Sequence, residues 1–202
     1  MIVIIDYHVG NLGSVTNACK RQGMDVVVTN DPEVIRQADG IILPGVGAFP
    51  AAMSNLEACH LVPVLNEVKD KGTPILGICI GMQLLFEEGS ENGHTKGLGF
   101  LKGSVDKMEV DAKLPHMGWN QLVIKQSHPL LKYVEEGDYV YFVHSYSAHC
   151  PEDEIGAYVN YGCKKITAFV YKDNVMGTQF HPEKSGEIGK KILRAFKELV
   201  SC

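Results

Sequence analysis

Short apolar runs alternate with helical patterns in the first half of the chain. Ile2–Ile5 is a continuous apolar run, which is typical of a strand buried on both faces of a sheet. Similar strands are predicted at Val26–Val28, Ile41–Leu43 and Ile75–Ile78, and helices at about Asn11–Gln22, Asp31–Gln37, Ala48–Leu56 and Pro63–Lys71. Strands that alternate with helices predict βαβ units, and therefore an α/β fold whose mostly parallel central sheet is flanked by helices on both faces.

The second half has strand-like runs that follow one another with few helices between them. These predicted strands are Val105–Val110, Trp119–Ile124, Asp138–Val143, Ile155–Val159, Ile166–Tyr171 and Val175–Phe180. They predict additional antiparallel strands in the C-terminal half. An apolar stripe of helical spacing then predicts a closing helix from about Gly186 to Val200. No repeat or linker divides the sequence, so we expect a single domain over residues 1–202.

The composition is ordinary for a folded protein, with 45% hydrophobic and 21% charged residues among 202. The formal net charge is −5 and no basic patch stands out, which argues against a nucleic-acid partner. No apolar run approaches the length needed to span a membrane, and the N-terminus lacks the features of a signal peptide. We therefore expect a cytoplasmic protein.

Six cysteines are present, but no Cys-x-x-Cys pair occurs, so we expect reduced thiols rather than a disulfide framework. Cys19, Cys59 and Cys202 are interpreted as core or surface filler. Cys150 follows His149, yet no spaced set of ligands accompanies them. We expect neither a metal nor a cofactor.

A candidate nucleophile lies where the strand Ile75–Ile78 runs into the next helical pattern. Gly77-Ile78-Cys79-Ile80-Gly81 has the form of a nucleophile elbow with Cys in place of Ser. The helix that follows is predicted to carry the apolar residues Met82, Leu84, Leu85 and Phe86. Its positive end favours the thiolate, and the N–H of Ile80 is a candidate oxyanion-hole donor. The structural alternative is a glycine-rich turn that holds a small buried cysteine.

A nucleophilic cysteine needs a base that is itself held by a third group. His181 is the candidate base because it ends the predicted strand Val175–Phe180 and precedes Pro182, which favours extended backbone. Residues i and i+2 of an extended segment point to the same side, so Glu183 can orient the imidazole. The alternative is an ordinary His and Glu flanking a proline. Because Cys79 and His181 both follow parallel strands, and ligands bind at that edge, the triad is favoured.

A third segment ends a strand on the same edge, at Pro44–Gly47. The glycines around Val46 give the backbone freedom to flip a peptide and to present an N–H from Val46 or Gly47. This loop is therefore the candidate second oxyanion donor, opposite Ile80. Phosphate binding is the weaker interpretation, because the Lys and the spacing of a P-loop are missing.

Long motifs give the chain a resemblance to class I (triad) glutamine amidotransferases from Asp6 through Glu183. Its oxyanion segment, Pro44–Gly47, differs from the Gly-Gly-Pro type of the anthranilate and GMP synthase glutaminases. Three segments are similar to those of one branch of the family, the histidine-biosynthesis glutaminases. They are Asp6–Leu12, Pro115–Asn120 and Tyr141–Tyr146. A departure is His8, where this branch commonly has Gly; it bears on loop conformation and partner contact rather than catalysis.

The resemblance implies that Cys79 attacks the side-chain amide of glutamine, with His181 as base and then acid and Glu183 orienting it. The implied glutamine pocket is lined by Gly47, Gln83, His144, Ser145 and Tyr146. The ammonia would pass through a closed channel to a cyclase subunit of (β/α)8-barrel fold, the implied heterodimer partner. That partner would make imidazole glycerol phosphate and aminoimidazole carboxamide ribonucleotide. The implied partner face comprises Asn11, Met117, Trp119, Tyr141 and Lys184.

Other interpretations stay open at the level of sequence. A triad glutaminase of another synthase would keep the chemistry and change the acceptor, although Pro44–Gly47 and Pro115–Asn120 argue against it. A stand-alone α/β cysteine hydrolase would act on an ester or a peptide. A catalytically silent binding module is opposed by the complete triad. Trp119, the single tryptophan, fits an interface anchor and an ordinary half-buried strand residue equally well.

Overall fold

The computed structural model describes residues 1–201 and has the predicted α/β architecture. The strands are β1 (Ile2–Ile5), β2 (Val26–Thr29), β3 (Gly40–Leu43), β4 (Ile75–Ile78), β5 (Phe86–Gly89), β6 (Thr95–Lys96), β7 (Leu101–Lys107), β8 (His116–Gln121), β9 (Val123–Ile124), β10 (Tyr139–His144), β11 (Tyr146–His149), β12 (Ile155–Tyr161), β13 (Lys164–Lys172) and β14 (Val175–Thr178). The helices are α1 (Leu12–Arg21), α2 (Pro32–Arg36), α3 (Phe49–Ala58), α4 (Leu61–Asp70), α5 (Ile80–Gln83) and α6 (Gly186–Val200).

The central sheet has eight strands in the order β2-β1-β3-β4-β14-β13-β12-β9. The strands from β2 to β14 are parallel neighbours, whereas β13, β12 and β9 continue the sheet antiparallel. Strands β1, β3 and β4 are buried along their whole length, as their continuous apolar runs predict for a sheet covered on both faces. The predicted parallel core with antiparallel additions in the C-terminal half is therefore confirmed.

The strand register sets the position of the site. Strands β4 and β14 end level with each other, Ile78 lying opposite Thr178, and β3 ends beside β4 on the other side. Cys79, His181 and the Pro44–Gly47 loop follow these three strands. All three segments therefore leave the sheet at one edge.

Two smaller sheets complete the fold. A four-stranded sheet has the order β11-β7-β5-β6, and β8 pairs with β10 as a two-stranded antiparallel ribbon, hereafter the β8–β10 ribbon. The predicted strand Trp119–Ile124 is wrong as one element, because it divides at the buried Leu122 into β8 and β9, which belong to different sheets. The strand predicted at Val105–Val110 begins earlier, as β7, and its partner β11 is not predicted by the pattern.

The helix predicted after Cys79 is also wrong in its length. Strand β4 is followed by a single helical turn, α5, and Phe86 opens strand β5 instead of extending the helix. An apolar run such as Leu84–Phe86 fits a buried helix or a buried strand equally. Phe86 lies opposite Leu101 of β7, and this pairing with another strand decides the outcome.

The buried side chains form one continuous apolar cluster that reaches both faces of the central sheet. No helix within residues 1–201 combines the length and the apolar character needed to cross a bilayer. Cys202 lies outside the described residues, and the five cysteines inside them are free thiols.

His8 has a φ of 63°, in the left-handed region that favours glycine. This conformation explains why Gly is common at this position in the family that the chain resembles.

Candidate active site

The nucleophile elbow is built by close backbone packing at the end of β4. Cys79 adopts φ 54° and ψ −110°, an uncommon conformation for a residue with a side chain, and its thiol is almost fully buried. A Cβ on Gly81 would lie 1.8 Å from the carbonyl oxygen of Leu43, and one on Gly77 would lie 2.6 Å from that of Gly81. The two glycines are therefore required because the turn presses directly on its neighbouring strand.

The candidate base and its orienting carboxylate are in direct contact. His181 Nδ1 lies 2.7 Å from Glu183 Oε1, and both side chains are about as buried as the core, with exposures of 1% and 0%. The extended geometry predicted for this pair is wrong, because Pro182–Lys184 forms a 3-10 turn. The turn brings the two side chains together. Backbone contacts fix it, with His181 N–H donating to Tyr141 O at 3.0 Å and Ser185 Oγ donating to His181 O at 2.7 Å.

The electrostatics of this pair favour a charged imidazole. Burial alone would lower the pKa of His181, but its hydrogen bonding and charge interaction with Cys79 and Glu183 outweigh burial and raise the pKa to about 9. Burial would raise the pKa of Glu183, yet the hydrogen bond and charge of His181 and the hydrogen bond from Asn11 hold it below its ordinary value. His181 Nε2 is buried and has no oxygen or nitrogen partner within residues 1–201, so it is free to exchange a proton with the thiol of Cys79, the other group that acts on its pKa.

Asn11 is placed behind the triad. Its Nδ2 donates to Glu183 Oε1 at 2.5 Å, the same oxygen that His181 contacts, while Glu183 Oε2 is buried without a hydrogen-bond partner in the described chain. Asn11 stands just before α1 with a φ of 76°, in the left-handed region that Asn tolerates better than most residues. The family resemblance implies a partner contact for Asn11, and the sequence gives no sign of this contact with Glu183.

The Pro44–Gly47 loop lies against the elbow and is anchored by Tyr7. The fully buried Tyr7 hydroxyl donates to the carbonyl of Pro44 at 2.5 Å. A Cβ on Gly45 would lie 2.7 Å from that hydroxyl and 2.9 Å from Ile80 Cβ. Gly47 has a φ of +103° with open space around it. The loop is therefore fixed at its start and conformationally free near its end.

A cavity of about 350 Å³ brings the candidate residues together. Its predicted lining residues are Val46, Gly47, Cys79, Ile80, Gln83, His144, Ser145, Tyr146 and His181, and its unpredicted ones are Glu91, Pro115 and Val143. Its size suits a small molecule bound beside the nucleophile. A larger cleft of about 660 Å³ lies near Cys150 and contains no residue of the triad, so size alone does not locate the site.

Two glutamines connect the cavity wall to the nucleophile. Gln83 Nε2 donates to Tyr146 O at 3.2 Å and to Gln179 Oε1 at 3.0 Å, and Gln179 Nε2 lies 3.8 Å from Cys79 Sγ. Gln83 Oε1 is buried with no protein partner in residues 1–201. Gln179 is missed by the sequence reasoning, although its place two residues before His181 on the strand side of the site is a usable signal.

Three of the residues implied for a partner face, Met117, Trp119 and Tyr141, lie together on the β8–β10 ribbon. Met117 and Trp119 are 65% and 55% exposed on the β8–β10 ribbon, and Tyr141 packs edge-on to Trp119 with ring centroids 6.0 Å apart. Tyr139 extends this apolar surface and is not predicted. Lys184 is exposed and forms no ion pair within the described part of the chain.

Within residues 1–201 no group of three or more His, Cys, Asp or Glu is arranged to hold a metal ion.

Residues 3–199 match the family described as glutamine amidotransferase class-I. The chain is 56% identical over 197 residues to the imidazole glycerol phosphate synthase subunit HisH of Lactococcus lactis subsp. lactis (strain IL1403), with 98% of each chain covered. It is 49% identical over 205 residues to HisH of Listeria monocytogenes serovar 1/2a, covering 100% of this chain and 98% of the relative.

Solved structures share the fold at lower identity. One described as a glutamine amidotransferase superposes with a TM-score of 0.78 at 18% identity, over 100% of both chains. PurLQS from Thermotoga maritima superposes with a TM-score of 0.74 at 20% identity, over 98% of this chain and 97% of that one. These similarities show a shared fold.

Proposed function

The chain belongs to the class I glutamine amidotransferases, and we propose that it is the glutaminase subunit of imidazole glycerol phosphate synthase. In this proposal one domain hydrolyses glutamine to glutamate and ammonia with Cys79, His181 and Glu183, in the cytoplasm. The observation that carries it is the buried 2.7 Å contact of His181 Nδ1 with Glu183 Oε1, together with the cavity that His181 and Cys79 both line. The relatives named as HisH support the choice of synthase.

The first half of the reaction forms a thioester. The proton of the Cys79 thiol passes to His181 Nε2, Sγ attacks the side-chain amide carbon of glutamine, and the carbonyl π electrons move to oxygen. The N–H of Ile80 and an N–H of Val46 or Gly47 are the proposed donors to that oxyanion. His181, whose raised pKa of about 9 keeps it protonated near neutral pH, gives its proton to the departing nitrogen. The C–N bond breaks and ammonia leaves.

The second half returns the enzyme to its starting state. His181, now neutral, takes a proton from a water molecule that attacks the thioester carbon. The C–S bond breaks, glutamate is released, and the sulfur again lies beside a protonated imidazole. Glu183 holds the imidazole throughout by accepting from Nδ1–H, which leaves Nε2 as the proton-carrying atom.

The cavity offers polar groups that match the substrate. Gln83 lines the cavity, and its Oε1 is a buried acceptor without a protein partner in residues 1–201. An N–H group of the substrate glutamine would satisfy it, since a buried acceptor left unpaired is costly. Gly47, His144, Ser145 and Tyr146 are the other proposed substrate contacts and line the same cavity.

The proposed acceptor of the ammonia is a cyclase subunit of (β/α)8-barrel fold. Ammonia that reached open water would be protonated and would lose its nucleophilicity, so a closed path between two subunits is needed. The apolar surface of Met117, Trp119 and Tyr139, with Tyr141 beside it, supports a docking face, because exposed aromatic groups and Met are enriched at interface centres. Lys184 and Asn11 are the remaining proposed contacts.

The test combines the chain with the barrel cyclase and its nucleotide substrate, and follows both glutamate and imidazole glycerol phosphate. The complex is expected to make both products from glutamine. Cys79→Ala should abolish both with glutamine and should retain synthesis when ammonium is supplied instead. Cys163→Ala is the matched control, because Cys163 is exposed and lies outside the cavity.

Each alternative gives a different result. Glutamate release by the Cys79→Ala complex would exclude Cys79 as the nucleophile. Glutamate release that no barrel cyclase stimulates would indicate a glutaminase of another synthase. Hydrolysis of esters or peptides without glutamine turnover would indicate a stand-alone cysteine hydrolase. The isolated chain is expected to hydrolyse glutamine slowly, because the loop ending at Gly47 has to adopt one conformation to supply its donor.

A further inference from the structure

A chain of hydrogen bonds crosses the interior from the β8–β10 ribbon to the wall of the cavity. Asn120 Nδ2 lies 3.2 Å from His116 Nε2, His116 Nδ1 lies 3.0 Å from His144 Nε2, and His144 Nδ1 lies 2.8 Å from Tyr146 O. Both imidazoles are buried. The catalytic steps above use neither His116 nor Asn120.

The direction of each hydrogen bond follows from the Asn120 end. Asn120 Oδ1 accepts from the backbone N–H of Gln121 at 2.8 Å, and Nδ2 donates to Asn160 O at 3.0 Å. A flipped amide would set its oxygen against a carbonyl and its NH2 against an N–H, so the amide orientation is fixed. The atom that faces His116 Nε2 is therefore a donor, and His116 Nε2 has to accept.

The other end leaves two states for His144. A carbonyl oxygen can only accept, so His144 carries a hydrogen on Nδ1 and donates to Tyr146 O. The ring is then either neutral, with Nε2 as an acceptor, or an imidazolium, with Nε2 as a second donor. Because His116 Nε2 has to accept, the hydrogen of His116 lies on Nδ1 and is donated to His144 Nε2, which selects the neutral form. Both assignments agree only when each ring is neutral with its hydrogen on Nδ1.

The surroundings of the two rings agree with that state. Burial lowers the pKa of His116 to about 4 and that of His144 to about 3. His116 is stacked between Tyr161 and Phe142, with ring centroids 4.0 and 4.7 Å away. The rings therefore remain uncharged near neutral pH and cannot rotate easily to exchange their nitrogens.

The hydrogen-bond chain ends at a backbone carbonyl of the cavity wall. The carbonyl oxygen of Tyr146 accepts from His144 and also from Gln83 Nε2, and Gln83 is bonded onward to Gln179 beside Cys79. Gln83 uses both Nε2 hydrogens in these contacts, and its Oε1 has no hydrogen-bond partner within residues 1–201. The position of the Tyr146 carbonyl thus sets the orientation of the Gln83 amide.

We propose that Asn120 is a positioning residue for the glutaminase site, which fixes the tautomers of His116 and His144 and thereby the Tyr146 carbonyl that orients Gln83. The inference rests on the proposed glutaminase function. The side chains of β8 alternate between two sides, with His116 and Asn120 directed inward and Met117 and Trp119 exposed. This one strand therefore carries both the proposed docking face and the hydrogen-bond chain.

The test begins with the imidazole nitrogens of the full-length chain labelled with 15N-histidine. In the wild type at neutral pH, His116 and His144 should each show the single pattern of the neutral Nδ1–H form. Asn120→Leu removes the donor to His116, so a mixture of tautomers is expected at both rings. A wild-type imidazolium, a wild-type Nε2–H form, or unchanged tautomers in Asn120→Leu would overturn the proposal whether or not the chain is a glutaminase.

Kinetics of the complex with the cyclase supply the second measurement. Asn120→Leu should raise the KM for glutamine about tenfold with a smaller change in kcat, and Asn66→Leu, at an exposed position on α4, should change neither. Asn120→Asp presents only acceptors to His116 Nε2, so it should shift the hydrogen of His116 to Nε2 and raise the KM at least as much as Asn120→Leu. If Asn120 served only to tether Asn160, both variants would raise the KM with the tautomers of His116 and His144 unchanged, which would also overturn the proposal. Absence of glutamine turnover in the wild type would instead count against the proposed function.

Discussion

Asn11, at the start of α1, donates to the same oxygen of Glu183 that His181 contacts, at 2.5 Å, and so adds a fourth residue to the proposed triad. The amide neutralises part of the charge on a carboxylate that is wholly buried. It also connects the first helix to the turn that follows His181, two segments far apart in sequence.

The first prediction removes that amide without straining the backbone. Asn11→Gly keeps a residue that accepts φ 76° and deletes the hydrogen bond. Hydrogen bonds to charged groups contribute about 1.5–3 kcal/mol, so glutaminase kcat in the complex should fall about tenfold or more. Asn92→Gly is the control, because Asn92 is exposed and has a φ of 54°. Equal kcat values for the two variants would remove Asn11 from the triad.

The second prediction concerns pH and the pKa of His181. That pKa is about 9 in the folded chain and about 6.5 when unperturbed, so the folded state binds the proton more tightly than the unfolded state. The stabilisation is fully present below pH 6.5 and is lost as the pH rises through about 9. Urea unfolding at several pH values should therefore show the advantage of the wild type over His181→Gln shrinking across that range. A difference independent of pH would contradict the charged pair.

The third prediction separates catalysis from stability at Cys79. Its backbone, at φ 54° and ψ −110°, is strained for any residue with a Cβ, and such strain costs on the order of 1–3 kcal/mol. Cys79→Gly should therefore be inactive with glutamine and yet more stable than Cys79→Ala by about 1 kcal/mol or more. Denaturant unfolding of the two variants measures the difference, and a less stable Gly variant would mean that the elbow is not strained.

Sequence patterns predicted the parts of the fold that depend on local chemistry. The buried runs of β1, β3 and β4 have no polar position to interrupt them, and Cys79 and His181 were joined by the rule that parallel strands end at a common edge. Pairing between distant segments is harder to predict, because an apolar run does not specify the strand with which it pairs. For that reason β5 reads as a continuation of a helix, although it pairs with β7.

Side-chain contacts inside the site were the least accessible to sequence reasoning. Gln179 reads as an ordinary polar residue near a strand end, and only the parallel register of β14 beside β4 brings it next to Cys79. Asn11 precedes a helix and looks like a cap, yet it makes no capping hydrogen bond and turns to Glu183. The pairing of His181 with Glu183 was predicted with the wrong geometry, since a 3-10 turn makes the contact.

The fourth prediction tests the proposed docking face. Trp119 is 55% exposed and packs against Tyr141, so the ring is held in place before any partner binds. Trp119→Ala should leave the free energy of unfolding nearly unchanged and weaken binding of the cyclase by about 2 kcal/mol, roughly 30-fold, as expected of a central aromatic anchor. Titration calorimetry of the two subunits gives the Kd. Val28→Ala, at an exposed hydrophobic position on β2, is the control, and similar Kd values for both variants would exclude the ribbon from the interface.

The fifth prediction tests the conformational freedom of the oxyanion loop. A Cβ on Gly47 would meet no atom of the chain within 4 Å, so Gly47→Ala disturbs the free protein only through its φ of +103°. Gly93→Ala is a matched control, because Gly93 has a φ of +109° and equally open surroundings. Both variants should lose a similar stability of about 1–2 kcal/mol, since the backbone penalty is the same. Only Gly47→Ala should lose glutaminase kcat in the complex, by up to about 100-fold if the donor of the loop is displaced. Unchanged kcat in Gly47→Ala would mean that the second oxyanion donor comes from another segment of the site.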